Sequence, residues 1–145
     1  MNNELLTLFD IKDDIVESFT IDNIDTYYEI NIRFKPSVVC CPHCGSIHFI
    51  SKGTQKKRLV STPINDQPVK IITHLKRYKC LDCISYFSDS NPIAYENWSF
   101  TKVAIISILN KLKPYNATYA SIARMFGVST TRIIDVFDAF VRIKR

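Results

Sequence analysis

Three patterns met in order along the chain predict an α+β protein. Apolar residues alternate with period two near the N-terminus, cysteines pair two residues apart on either side of β-branched segments, and from Phe100 onward apolar residues fall at helical spacing. A length of 145 residues suits one domain of average size or two or three small modules, and modules that small need staples to hold together.

The first element is "TYYEINIRF" (26–34). Tyr28, Ile30, Ile32 and Phe34 alternate with Tyr27, Glu29, Asn31 and Arg33, as in a half-buried strand. "DIVESFTID" precedes it as a partner strand, with Asp22-Asn23 as turn residues, so a hairpin is expected over 1–36. Next come the cysteine-bearing "SVVCCPHCGSIHF" (37–49), the basic "SKGTQKKRLVSTP", a turn at "NDQP" and the β-branched "VKIITHLKRYKC" (69–80). These predict a second hairpin within 37–92. In the remaining part, 98–145, Val103, Ile106, Leu109 and Leu112 mark the core stripe of a first helix ended by Pro114. Two more helices are expected, around 118–126 and 130–143.

No apolar run approaches the roughly 20 residues of a membrane-spanning helix. The N-terminus has neither a positive n-region nor a small-residue cleavage site, so no targeting peptide is read there and a cytoplasmic location is expected. Charge is unevenly placed. Residues 1–35 carry a balance of −5 and residues 36–145 one of +10, so an anionic partner belongs with the second part.

In a reducing compartment, paired cysteines read as metal ligands before disulfides. Cys41-x2-Cys44 and Cys80-x2-Cys83, with 35 residues between the pairs, supply four thiolates in two tight turns, the ligand set of a closed structural zinc site. Iron in a rubredoxin-like site is the alternative metal. Pairing Cys40 with Cys44 would give a looser spacing, so Cys40 is read as a small buried-type residue at a strand end. His43 and His48 are read as surface imidazoles. Gly45 suits a positive φ just past the first turn, and Ile84 occupies the matching place after the second, where glycine would be more comfortable. A closed four-thiolate site has no open position for substrate, so its expected work is to hold the "QKKR" and "HLKRYK" strands together as a basic surface.

"TYASIARMFGVSTTRIIDVFDAF" (118–140) has the spacing of a helix-turn-helix. Ala123 is the small residue at the helix crossing, Gly127 stands four positions later at the turn, and Ile133 is the apolar lock six beyond that. Ile122, Phe126 and Val128 surround this core, and Ser129 caps the recognition helix. With Ile133, Val136, Phe137 and Phe140 turned inward, Thr130, Thr131, Ile134 and Asp135 face a major groove. Arg124, Arg132 and the terminal "RIKR" are placed for phosphates, as are Lys56, Lys57, Arg58, Lys76, Arg77 and Lys79 on the second hairpin. Trp98 reads as a core anchor between the cysteine module and the helices.

"CPHCGS", then "KRYKCLDCISYFSDSNP", then "TYASIARMFGVSTTRIIDVF" resemble, in order and spacing, the N-terminal region of bacterial insertion-sequence transposases of the ISL-three type. The resemblance runs from about residue 5 to the end. It implies that Cys41, Cys44, Cys80 and Cys83 bind Zn2+, that Arg77 and Tyr78 belong to the ribbon signature, and that the helical part contacts the terminal repeats of the element in DNA transposition and recombination. Members of that family continue into a catalytic domain bearing three carboxylates. The chain stops at Arg145, so a truncated transposase without catalysis is expected.

The resulting expectation is an N-terminal β-hairpin and zinc ribbon followed by a three-helix helix-turn-helix bundle. Its expected partner is double-stranded DNA at insertion-sequence ends in a bacterial nucleoid, with a second copy or a full-length transposase as protein partner and no membrane or small-molecule substrate. The alternatives are a stand-alone transcriptional regulator and a ribbon that docks on another protein.

Overall fold

The computed structural model describes residue 9 and residues 11–112 and 117–141. A 3-10 turn, Asp13–Ile15, leads into β1 (Val16–Ile24), which pairs antiparallel with β2 (Tyr27–Phe34). The hairpin is the one read from the alternation, but its turn sits three residues later than Asp22-Asn23, at Asp25-Thr26, where the φ of Asp25 is +46°. Aspartate is among the few residues that tolerate that region. β3 (Phe49–Ile64) and β4 (Gln67–Cys80) form the second hairpin. Asn65 and Asp66 both take positive φ in its turn, as a two-residue hairpin connection requires. A short β5 (Tyr86–Ser88) pairs with the end of β4.

The hairpins are not separate units. β2 runs parallel to β4, from Tyr28 opposite Val69 to Arg33 opposite His74, which joins all five strands in one sheet of order β1-β2-β4-β3 with β5 on β4. β4 is thus the central strand, and its long β-branched run fits burial from both sides. Ile30, Ile32 and Phe34 from β2, Leu59 from β3 and Val69 and Ile71 from β4 share one core with Ile93 and Ala94.

Three helices follow: α1 (Lys102–Leu112), α2 (Tyr119–Phe126) and α3 (Thr130–Val141). Neighbouring β3 residues point to opposite sides of the sheet, so Leu59 enters the sheet core while Val60 enters the helical one. Val60 also donates its N–H to Ser99 O and accepts at its carbonyl from Thr101 N–H, 2.8 and 2.9 Å, and the buried Ser61 and Thr101 hydroxyls meet at 3.2 Å. The segment before α1 is thereby bonded to the edge of β3, and the helices use the strand as a wall.

The expected α+β arrangement of a β-hairpin and ribbon followed by a three-helix bundle is therefore corrected. The described residues form a mixed α/β protein with one five-stranded sheet and three short helices of 11, 8 and 12 residues. The physical reason is the parallel β2–β4 ladder, which merges the hairpins, together with the shared Val60 core. The phase of α1 is corrected too: Ala104, Ile105 and Ile108 are buried, whereas Ile106 is 58% exposed. Pro114, the expected helix stop, and the terminal basic residues 142–145 lie outside the described residues. No described helix is long and apolar enough to cross a membrane.

Thr118 caps the start of α2 through Ser121 in a reciprocal capping box, and Gly127 closes the same helix, ahead of α3, in the left-handed conformation at φ +70°. A Cβ on Gly127 would lie 2.9 and 3.0 Å from the Cγ and Cβ of Pro68. Gly127→Ala combines that contact with backbone strain, and we expect it to destabilise the protein by about 1–3 kcal/mol, read from the shift in urea midpoint. A midpoint equal to that of the parent would show that the turn tolerates a side chain.

Candidate metal centre and basic surfaces

Two loops of like geometry bring the cysteines together. In the first, Gly45 N–H donates to Cys41 O and Cys41 N–H to Ser46 O, both at 2.8 Å, and Gly45 has φ +76°. In the second, Cys80 N–H donates to Ser85 O at 2.9 Å and Ile84 has φ +63°. Ile84 thus occupies the conformation that Gly45 occupies in the first loop, at a cost for a β-branched residue that the sequence pattern anticipates. Leu81 N–H to His48 O, 2.9 Å, and Ser46 Oγ–H to the Asp82 carboxylate tie the loops to each other.

The Sγ atoms of Cys41, Cys44, Cys80 and Cys83 all lie within 4.8 Å of one another. Cys41 and Cys83 approach to 3.7 Å, and Cys44 and Cys80 to 3.6 Å. A tetrahedral ion with metal–sulfur bonds of about 2.3 Å puts its sulfurs roughly 3.8 Å apart, so the four residues are positioned to hold a metal ion. Backbone N–H groups of His43 and Cys83 point at the sulfurs of Cys41 and Cys80, at 3.4 and 3.5 Å. Such donors stabilise thiolates. Ser85, through its side chain and then its backbone, brings the Cys83 thiol down to about 6. At Cys44 the Ser46 N–H favours the thiolate, but burial and the neighbouring cysteines outweigh it and push the thiol up to about 12. A metal must therefore expel protons from this cluster as it binds.

Cys40 is not buried as expected; it is exposed and lies outside the strands, beside the cluster but not in it. His43 and His48 are exposed, in keeping with surface imidazoles. Beneath the centre, Phe49, Tyr78 and Phe87 form a packed triangle with centroid separations of 5.3–5.5 Å.

One residue essential to this arrangement escaped the sequence reading. Asp89 is 4% exposed, and its Oδ1 accepts from Ser37 N–H, Ser37 Oγ–H and Val38 N–H at 3.1–3.4 Å while its Oδ2 accepts from Tyr78 Oη–H at 3.1 Å. Burial, reinforced by the Asp89 charge, pushes the Tyr78 hydroxyl up to about 12, so it stays protonated and donates. The carboxylate thus pins the chain just ahead of Cys41 against β4.

The basic residues divide between the two faces of the sheet, as strand alternation dictates. Lys56, Arg58 and Lys76 share the face of Val60, whereas Lys57, Arg77 and Lys79 belong to the other, as the pairing of Lys56 with His74, Lys57 with Thr73 and Lys79 with Tyr86 records. On the Val60 side, Arg33, His74 and Lys56 stand in register across three strands. His74 is buried and bonded to Asn31 Oδ1 at 3.0 Å, and burial, then Arg33 and Lys56, lower its pKa. Lys76 meets Glu17 at 3.8 Å.

On α3, Ile133 and Val136 are buried and Phe137 and Phe140 half-buried, the latter 5.1 Å from Trp98. Thr130, Thr131 and Asp135 are exposed, Ile134 is half-buried, and Arg124 on α2 is exposed. Arg132 is engaged internally: its guanidinium donates to Ser99 Oγ at 2.6 Å and lies 4.8 Å over the Phe100 ring. That places it as a tie between α3 and the segment before α1. No protein-family model, curated protein or solved structure matches the chain.

Proposed function

We propose that this chain is a zinc-dependent module that binds duplex DNA by laying α3 in the major groove, and that its task is to recognise the terminal repeats of an insertion sequence as part of a transposase. Zinc is the metal assigned to the four thiolates, since a closed tetrahedral sulfur set suits it and leaves no open position for chemistry. The observation that carries the reading is the exposure of Thr130, Thr131 and Asp135 on a helix whose opposite side is anchored by Ile133 and Val136. Val60, which packs into the core of that helix, shares its sheet face with Lys56 and Arg58. Phosphates on either side of a groove then have cations on the same side of the sheet as the reading helix.

No catalytic role is part of this reading. Asp89 and Asp82 are engaged in structural hydrogen bonds, and Asp135 lines a small pocket beside the tethered Arg132. The exposed Val39, Ile47, Leu81 and Ile84 around the metal loops favour a second reading, a ribbon that docks on another protein.

A salt titration separates the two. With a mixed-sequence duplex and the zinc-loaded chain, log affinity should fall linearly with log salt, with a slope of about −3 to −6 for a handful of phosphate contacts. Arg124→Ala should make the slope shallower by about 1, and Thr131→Glu should weaken binding at least ~10-fold by setting a carboxylate against the DNA. No measurable duplex binding at low salt would leave the docking reading in its place.

A further inference from the structure

The face of the sheet away from Val60 carries a second site that the α3 reading does not use. Ile50, Lys79 and Tyr86 stand in register across β3, β4 and β5, with Arg77 two residues before Lys79 and opposite Ser88. Tyr86 is 51% exposed and Ile50 41%. The Arg77 guanidinium carbon lies 5.2 Å and the Lys79 Nζ 5.7 Å from the centre of the Tyr86 ring. Gly53, at φ +90°, sits in a bulge where Lys52 and Gly53 together oppose Arg77, which adds a third cation at that level. None of the residues facing outward in these rows is acidic.

Alternation turns the neighbouring side chains the other way, and there Phe49, Tyr78 and Phe87 fill the space beneath. The exposed ring therefore rests on a packed aromatic layer and a three-stranded ladder, and it is held without a flexible loop. Both cations reach the ring from β4, and among the described residues β5 has no strand on its other edge. A cross-strand pairing alone would account for a tyrosine beside a lysine. It would not account for a half-exposed aromatic ring, an exposed isoleucine and three cations gathered on one acid-free surface.

We propose that this surface binds single-stranded nucleic acid, with an unpaired base stacked on Tyr86 and the flanking phosphates on Arg77, Lys79 and Lys52. A base offers a flat π-face to the ring and apolar area to Ile50, and the phosphates match the local positive charge. A duplex cannot use the site in the same way, because its bases are already stacked on one another. The surface is thus distinct from α3 and acts on DNA that has been opened.

The test uses the zinc-loaded full chain, a fluorescently labelled oligo(dT) strand and, in parallel, a mixed-sequence duplex. Oligo(dT) should bind with a salt-dependent affinity, Tyr86→Ala should weaken it about 5- to 150-fold, and Tyr86→Phe should retain it to within about 2-fold. Duplex binding should be the same for all three proteins. Should the alanine variant lose zinc, Tyr86→Leu keeps apolar bulk without a π-face and must show the same loss. Failure of the folded, zinc-loaded protein to bind oligo(dT) at low salt would overturn the proposal. So would oligo(dT) binding that depends on salt but not on Tyr86, which would assign the face to phosphates alone. Because the α3 variant Thr131→Glu should impair duplex binding only, failure of this site and failure of the groove-binding reading give different results.

Discussion

Removing the metal should unfold the cysteine end of the protein while the rest of the sheet stays folded. Cys41 and Cys80 are 1% and 0% exposed, and the cluster around them contains few other buried side chains, chiefly Tyr78 and Phe87. A core that small cannot offset the ordering cost of residues 37–49 and 81–88. The sheet core and the helical core contain no cysteine and should persist. Structural zinc contributes apparent binding energies of about 10–16 kcal/mol near neutral pH in small zinc modules, so the effect should exceed that of any single core truncation. The expected result is one zinc per folded chain by elemental analysis. After chelation, amide exchange should become fast in the two loops and remain slow in β2 and α1. Cys80→Ser should lose the metal and reproduce this pattern.

The pH dependence has a definite sign. The metal-free cluster holds protons, that of the raised Cys44 thiol among them, that the metal-bound one has lost, so affinity should rise with pH and the metal should be released on acidification. A folded chain with neither zinc nor iron, and with slow exchange in both loops, would sink the assignment.

The hairpins and the metal loops were legible because their signals are local. Alternation in residues 27–34, the Asn65-Asp66 turn and the two C-x2-C spacings each fix geometry over a few positions. The β2–β4 ladder was not legible, since parallel pairing of strands more than 30 residues apart has no turn to announce it. Its one trace was the near-continuous β-branched run of β4, which reads equally well as a hairpin arm. In α1, "KVAIISILNKL" is apolar on almost every side, so spacing alone did not select Ala104, Ile105 and Ile108 over Val103 and Ile106. α3 alternates apolar and polar residues more sharply, and its buried Ile133 and Val136 were found. Arg132 read as a phosphate contact because its partners Ser99 and Phe100 come from a different part of the chain. Tyr86 and Asp89 were missed for the same reason, since what gives them meaning comes from other strands.

Asp89 provides the second large effect. In sequence it is one polar residue in "FSDSNP", and its surroundings arise only when Ser37, Val38 and Tyr78 converge on it. Asp89→Ala leaves two backbone N–H groups and a buried phenol without their acceptor; Ser37 is exposed and its N–H can turn to water, whereas the half-buried Val38 N–H and the phenol each cost about 1–3 kcal/mol, so a loss of about 2–4 kcal/mol is expected. Tyr78→Phe removes a single donor and should cost about 1 kcal/mol. Because the two side chains share a hydrogen bond, the double variant should be less destabilised than the sum of the singles, with a coupling of at least ~0.5 kcal/mol in a double-mutant cycle. Val38 packs against the cluster that contains Cys41, so Asp89→Ala should also weaken zinc binding, whereas Tyr78→Phe should leave it nearly unchanged. Strict additivity, or an alanine variant with the parent's urea midpoint and zinc affinity, would mean that the first metal loop is held in place by the ion alone.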